Sequence, residues 1–289
     1  KIGPYSFAVA NNNTASGAYS TVAGENNTAT GNYAVSMGDG CTSGKTSSIA
    51  IGSACNASGE YAVALGRAIS ASDSCSVGIG YHSTASGKYA LALGAYTDAS
   101  GAYSTTMGYY ASTNGKKGSF VYADNSAATV TSSTVDNQFL VRASGGVLFY
   151  SNSGLTVGVS LPAGGGSWAS VSDRNKKENF STVDGERILK GIQNLEITKW
   201  NYKTQAASIK HIGPMAQDLF KEFNLGESEL TITAVDMDGI NLMALKTLAI
   251  KADGLKKNAD EMEALKQKIE KLEKEKALLE KRITSMERQ

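Results

Sequence analysis

The chain has 289 residues, 41% of them hydrophobic, and a net charge of +1. This length allows two or three domains, and the charge gives no electrostatic reason to expect nucleic acid or a membrane surface as a partner. The charges are unevenly spread, because residues 1–118 hold six Lys/Arg and five Asp/Glu whereas residues 172–289 hold 21 and 20. No run approaches the roughly 20 apolar residues of a membrane span. Lys1 is not a natural start, which leaves room for a signal peptide or domain upstream.

Glycine recurs every 14 residues through the charge-poor part. One set comprises Gly24, Gly38, Gly52, Gly66, Gly80, Gly94 and Gly108, each 14 residues after the last. A second set recurs half a period later and comprises Gly17, Gly31, Gly44, Gly59, Gly87, Gly101 and Gly115, with Asp73 in place of one member. Between them run apolar phrases such as residues 61–66. A fixed period with short alternating strands predicts a solenoid, of about eight coils and roughly 40 Å at a strand spacing of ~4.8 Å.

Both faces of each predicted strand are apolar. Val63 and Leu65 alternate with Ala62 and Ala64, so one pair lines the inside of the coil and the other faces outward. An apolar outer face needs a cover. Two further copies of the same chain would supply it most economically.

Three cysteines, Cys41, Cys55 and Cys75, lie among the repeats. An odd count without CxxC spacing predicts neither a disulfide framework nor a metal site, so we interpret them as small buried or half-exposed thiols and expect no cofactor. His82 is interpreted as a solvated side chain. Exposed tyrosines are predicted beside the corners, where they form either a sticky stripe or ordinary packing on the roll surface: Tyr61, Tyr89, Tyr103, Tyr109 and Tyr110.

The phrases at residues 5–115, such as YHSTASG at 81–87, keep register over about eight copies. They resemble the head repeats of trimeric autotransporter adhesins. The resemblance implies a left-handed parallel β-roll with three chains to a head, hence a homotrimer at a cell surface. Similar repeats occur in phage fibres, so a virion fibre is equally implied, and the receptor stays open.

Residues 119–171 lose the period. Residues 138–142 and 147–150 flank 143–146 and predict a β-hairpin. A further strand is predicted from Leu155 to Leu161, ending at Pro162. The glycine-rich segment 164–167 is then flexible chain, so a small β neck is followed by slack.

The charged half alternates short helices and strands. The predicted elements are a helix capped by Asp184 and running to Ile192, strands at 195–202, 211–213 and 230–235, a helix opened by Pro214 and a turn at 236–239. A long helix follows, and its apolar residues are spaced three-four-three-four, with Lys276 in the one polar slot: Met262, Leu265, Ile269, Leu272, Leu279, Ile283 and Met286. This heptad seam predicts a parallel coiled coil, and three strands are inferred from the roll.

The charged half opens with SDRNKKEN at residues 172–179. Taken alone, Ser172 with Lys177 five residues on is weak, because that spacing is common by chance. Together with HIGPMAQDLF at 211–220 and the terminal coiled coil, the segment resembles the endosialidase-type intramolecular chaperone. This is an auto-processing peptidase family found on phage tailspikes and tail fibres, and the likeness covers residues 172 to about 255.

The resemblance implies self-cleavage between Val171 and Ser172 by a Ser172–Lys177 dyad once a trimer has formed. Its further motif positions are Asp173, Gly213, Ala216 and Gln217; Asp218 stands where members often have Glu, and Pro214 is also a departure. A serine beside the bond it attacks has a high effective concentration. A lysine is a base only when neutral, which at the usual pKa of ~10.4 is well under about 1% of molecules at pH 7.

Several roles stay open. Burial or the neighbouring cations Arg174 and Lys176 would favour a neutral base, and Lys176 is itself the rival of Lys177. Asp173 either orients the lysine or caps a turn. A Ser172–His211 pair is the weaker alternative.

The expected fold is mainly β with a C-terminal α+β part. Its expected divisions are a roll at 1–118, a neck at 119–171, a chaperone and auto-peptidase domain at 172–255 and a trimeric coiled coil at 256–289. The expected protein is an extracellular fibre or adhesin that trims itself. The alternative is a permanent trimeric adhesin whose C-terminal domain only trimerises. A glycan-cleaving enzyme is disfavoured, because the roll has few acids and no recurring pair of carboxylates.

Overall fold

The computed structural model describes residues 2–286 and divides the chain into two compact units, Lys1–Val171 and Ser172–Gln289. The first unit is a parallel β-solenoid with a small β region after it, and the second is largely helical. The predicted mainly β chain with a C-terminal helical part is confirmed.

The solenoid consists of two parallel sheets, one of ten strands and one of nine. The long strands are Phe7–Asn11, Thr21–Glu25, Val35–Asp39, Ile49–Ser53, Val63–Arg67, Val77–Tyr81, Leu91–Ala95, Thr105–Tyr109, Phe120–Ala123 and Phe139–Arg142. The short strands are Thr14–Ala15, Thr28–Ala29, Thr42–Ser43, Asn56–Ala57, Ser70–Ala71, Thr84–Ala85, Asp98–Ala99, Ala111–Ser112 and Thr131–Ser132. Each coil therefore adds one rung to each sheet.

The alternation along the long strands is as predicted. Ala62 and Ala64 are fully buried inside the coil, whereas Val63 and Leu65 are half-buried on its outer surface. The interior is narrow, so it is filled mostly by alanine and by small hydroxyl side chains, several of which donate to backbone carbonyls. Ser76 is typical, since its Oγ donates to the Asp73 carbonyl at 2.7 Å. A thin core of this kind stabilises a coil only when neighbouring coils cover both of its edges.

Glycine is required at the corner that ends each long strand. Gly66 has a φ of +127°, and a Cβ there would lie 2.0 Å from the carbonyl oxygen of Gly80. One member of the second predicted set of glycines is wrong, because Lys45 and not Gly44 lies next to Gly31 in the following coil. The Lys45 carbonyl oxygen is 1.9 Å from the place that a Cβ on Gly31 would take.

The roll is longer than predicted, because its long-strand sheet does not end at residue 118. Phe120–Ala123 pairs in parallel with the strand before it, and Phe139–Arg142 pairs in parallel with Phe120–Ala123. The predicted hairpin between residues 138–142 and 147–150 is therefore wrong. Longer connections are tolerated here because parallel pairing requires only that the new strand lie beside the last one, whatever the length of chain between them.

The small β region is a three-stranded antiparallel sheet of Gly146–Tyr150, Gly158–Pro162 and Ala169–Ser170. The strand predicted from Leu155 to Leu161 begins later and includes Pro162, which lies at the end of the pairing, opposite Gly146. Proline lacks a backbone donor and is tolerated at such a strand end.

The second unit contains three helices, α1 (Gly185–Asn194), α2 (Ala216–Phe223) and α3 (Ala234–Met286), and a two-stranded antiparallel sheet of Thr198–Trp200 and His211–Gly213. A 3-10 turn at Arg174–Lys176 precedes them. The Asp184 side chain accepts from the backbone N–H groups of Glu186 and Arg187, so the predicted cap of α1 is confirmed. The core joins the three helices through Ile188, Leu219, Ile240 and Ala244.

Three local predictions in this unit are wrong. Pro214 lies outside α2, which begins at Ala216 with Met215 as its N-cap. Residues 230–233 form no strand, and the predicted turn at 236–239 lies inside α3. The reason is a cap: Thr233 Oγ1 accepts from the Asp236 N–H and donates to its carboxylate, so the helix starts before the Asp-Met-Asp-Gly sequence.

Helix α3 is continuous through the boundary expected at residue 255. Its large apolar side chains from Met262 to Met286 are all more than half exposed in the single chain. Among the residues that the structure describes, no helix is long and apolar enough to cross a membrane.

Candidate active site

Ser172 and Lys177 are in contact at the start of the second unit. The Lys177 Nζ donates a hydrogen bond to the Ser172 Oγ at 2.8 Å. The 3-10 turn at Arg174–Lys176 folds the chain back between them, which allows a lysine five residues on to reach the serine. This is the contact that a serine nucleophile needs with its base.

The Asp173 side chain caps this turn. Its Oδ1 accepts from the backbone N–H of Asn175 at 2.9 Å and from the Asn175 side chain at 3.2 Å. Of the two roles left open, the cap is the one seen, and Asp173 forms no ion pair with Lys177 among the described residues. Asp173 therefore positions the lysine only indirectly, by fixing the turn.

The neighbouring cations point elsewhere. The Arg174 guanidinium lies over the Phe180 ring, 5.4 Å from its centroid. Lys176, the rival base, shows no side-chain hydrogen bond in the described part of the chain, although its backbone N–H donates to the Asp173 carbonyl. Only Lys177 of the two lysines is bonded to the serine.

The hexapeptide 172–177 is exposed in the single chain. Val171, the last residue of the first unit, is also exposed, and its backbone N–H donates to the Gly158 carbonyl at 3.2 Å. The bond between Val171 and Ser172 thus joins the two compact units at their common boundary. Its cleavage would cut neither of them.

The other family positions lie on the two-stranded sheet and on α2 of the second unit. Gly213 ends the second strand of the sheet, and Ala216 and Gln217 open α2. Both α2 residues line an open groove of about 600 Å³ that also contains Trp200 and Tyr202. No hydrogen bond in the described residues joins Gly213 or Gln217 to Ser172 or Lys177.

His211 is used structurally. Its Nε2 lies 2.9 Å from the Gln205 Oε1, and its ring packs against Trp200 and Tyr202 at centroid distances of 4.8 and 5.7 Å. It does not contact Ser172 in the described structure. The weaker alternative of a serine–histidine pair therefore has no geometric support.

Not all of the tyrosines predicted beside the corners are exposed on the roll. Tyr61, Tyr89 and Tyr103 are exposed as predicted, but Tyr109 and Tyr110 are half-buried against Tyr96. His82 is exposed yet stacks on Tyr96.

The three cysteines are free thiols. Cys41 and Cys55 are buried and Cys75 is half-buried, and no cluster of metal-ligating side chains occurs within residues 2–286.

Comparison with protein families identifies two segments. Residues 172–224 match the chaperone of endosialidase family, and residues 15–40, 44–67 and 76–97 match the head domain repeat of the YadA type. No curated protein and no solved structure shows a significant match to the chain. The two resemblances drawn from the sequence are confirmed, in the same order along the chain: adhesin-type head repeats followed by an endosialidase-type chaperone segment.

Proposed function

We propose that the chain is an extracellular fibre or adhesin-type rod whose C-terminal unit directs trimer assembly and then cleaves itself off between Val171 and Ser172. The carrying observation is the 2.8 Å hydrogen bond from Lys177 Nζ to Ser172 Oγ. It lies at the first residue of the segment that matches the chaperone family.

The chemistry follows from this contact. The Ser172 hydroxyl attacks the Val171 carbonyl carbon while Lys177, when neutral, takes its proton. The C–N bond then breaks, the Ser172 nitrogen leaves as an amine with the proton from Lys177, and Val171 is held as an ester on the Ser172 Oγ. Water hydrolyses that ester and releases a Val171 carboxylate and a chain beginning with Ser172.

In this proposal, assembly provides the burial that Lys177 needs to act as a base. A lysine in water is almost wholly protonated at neutral pH, and only burial or nearby cations make it a base. The hexapeptide 172–177 is exposed in one chain. We therefore expect Lys177 to act as a base only after partner copies have buried this segment.

Two exposed apolar surfaces support assembly into trimers. The outer face of the long strands carries half-buried aliphatic side chains, including Val63 and Leu65. The seam of α3 from Met262 to Met286 exposes an apolar residue at nearly every heptad core position. Both surfaces are covered if three copies run parallel.

The test is the fragment pattern of the expressed chain on a denaturing gel and by mass spectrometry. Wild type is expected to yield residues 1–171 and 172–289, and Ser172→Ala only the intact chain. Lys177→Arg keeps the charge but removes the base, so it is expected to stay intact as well. Lys176→Ala is the matched control and should be cut like wild type.

Cutting of Ser172→Ala at the same bond would refute the dyad. An uncut wild-type trimer would favour the permanent adhesin, in which the C-terminal unit only trimerises.

A further inference from the structure

Six tyrosines form a column along one corner of the roll, each two residues before the first residue of a long strand. The tyrosine column consists of Tyr5, Tyr19, Tyr33, Tyr61, Tyr89 and Tyr103. All six are exposed, and all six have a positive φ, between 56° and 60°. Tyr5 and Tyr19, Tyr19 and Tyr33, and Tyr89 and Tyr103 stack at centroid distances of 5.0, 5.1 and 5.1 Å.

The column is interrupted twice. Ser47 stands between Tyr33 and Tyr61, and Cys75 stands between Tyr61 and Tyr89. The backbone rung is intact at both places: the Ser47 N–H donates to the Asn32 carbonyl at 2.8 Å, and the Cys75 N–H to the Glu60 carbonyl at 2.8 Å. At both places the ring is missing, so each interruption leaves a gap between two tyrosines of the column.

The gap at Ser47 has the width of one ring. Two rungs at a strand spacing of ~4.8 Å place the Tyr33 and Tyr61 rings roughly 10 Å apart. A flat ring halfway between them would lie at about the distance that separates the stacked tyrosines, 5.0–5.1 Å. Each of the other five tyrosines in the column stacks on at least one neighbouring tyrosine. Tyr61 stacks on no ring among the described contacts.

The residues beside the gap are polar. Lys45 replaces the glycine of this corner, and Thr46 and Glu60 directly precede Ser47 and Tyr61. Lys45 and Glu60 are exposed. At the Cys75 gap, by contrast, one flanking tyrosine already contacts a cation: the Lys88 Nζ lies 5.2 Å from the centroid of the Tyr89 ring.

We propose that the Ser47 gap binds one pyranose ring of a glycan, sandwiched between Tyr33 and Tyr61. A pyranose has C–H groups on its two faces and hydroxyls around its edge. It thus offers apolar surface to both walls and hydrogen-bonding groups to Lys45, Thr46 and Glu60, the combination typical of small-ligand sites. An aromatic side chain would fill the same width but leave this polar rim unused. The proposal deepens the proposed surface-fibre role and does not depend on cleavage.

The experiment measures saturation transfer from tyrosine ring protons to methyl β-D-galactopyranoside, using the full chain in the assembly that it forms. Transfer to the sugar ring protons with millimolar affinity is expected. Ser47→Tyr completes the column, and its backbone already has the φ of +53° that the neighbouring tyrosines share. This variant should weaken binding by about tenfold or more, whereas the matched control Cys75→Tyr should leave it unchanged.

A second pair of variants tests the proposal even if Ser47→Tyr or Cys75→Tyr does not fold. Tyr33→Ala removes one wall of the gap, and Tyr103→Ala removes an exposed tyrosine at the far end of the column; only the former should abolish transfer. No transfer to the sugar in wild type, or equal effects within either pair, would overturn the proposal. So would p-cresol binding that Ser47→Tyr abolishes while the sugar does not bind. Each of these results is independent of the fragment pattern that tests cleavage.

Discussion

Asp124 and Arg142 hold the loop at the C-terminal end of the roll through hydrogen bonds and an ion pair. Arg142 donates to the carbonyls of Tyr109, Asp124, Ala127 and Thr129 and pairs with the Asp124 carboxylate at 3.3 Å. Hydrogen bonds from Ser126 and Ser144 hold the pKa of the Asp124 carboxyl well below its usual range. The folded state therefore favours the ionised carboxylate.

A pH-dependent stability follows for this residue. A carboxyl whose folded pKa is lowered stabilises the fold fully above its unfolded pKa of ~3.9 and loses that contribution as the pH falls below it. Asp124→Asn should lower the thermal midpoint of the full chain at pH 7. The difference from wild type should shrink as the pH falls from about 4 towards 2.

Asp136 provides the control for this measurement. Its carboxylate accepts one hydrogen bond in the same region, from the backbone N–H of Lys117 at 3.0 Å. Asp136→Asn should lower the midpoint less than Asp124→Asn at pH 7. If the Asp124→Asn difference were the same at every pH, the carboxylate network would not be the source of the stability.

At the scale of the elements, the corner glycines control how closely the coils approach. In Gly66→Ala the new Cβ would need to lie 2.0 Å from the Gly80 carbonyl oxygen, in a backbone conformation with φ of +127° that alanine rarely adopts. Neither coil can move apart without breaking its ladder bonds. We expect a loss of about 3 kcal/mol or more in the free energy of unfolding, measured by thermal or denaturant unfolding of the full chain.

Gly40→Ala is matched to this change. Gly40 also has a positive φ, +64°, but nothing lies within 4 Å of the place of its Cβ. Only the backbone strain of about 1–2 kcal/mol applies there. Equal losses at both positions would show that strain, and not the close approach of the coils, makes glycine necessary at the corner.

The same elements show what the sequence could and could not predict. The period, the inward alanines and the corner at Gly66 followed from the sequence because each coil repeats the same local constraint. The last two long strands did not, since their connections are longer and each strand is placed only by its pairing with the long strand before it. At the candidate site, Ser172 and Lys177 were predicted from the motif resemblance. The sequence left open whether Asp173 orients the lysine or caps a turn, and the structure shows the cap.

For the whole molecule, assembly and cleavage are coupled in the proposed function. The α3 seam exposes Ile269 and Leu272 in the single chain, and both fall at predicted core positions of the coiled coil. Changing both to Asp would bury carboxylates in the core of a trimer, which costs several kcal/mol for each chain. The double variant should be monomeric by light scattering.

If assembly switches the base on, the same double variant should also remain uncut, although Ser172 and Lys177 are unchanged. The control changes Lys271 and Lys274 to Asp, which alters charge on the outer surface of the predicted coiled coil and not its seam. This control should assemble and be cut. A monomeric seam variant that was nevertheless cut at Val171–Ser172 would uncouple the two events, because a single exposed chain would then suffice for the chemistry.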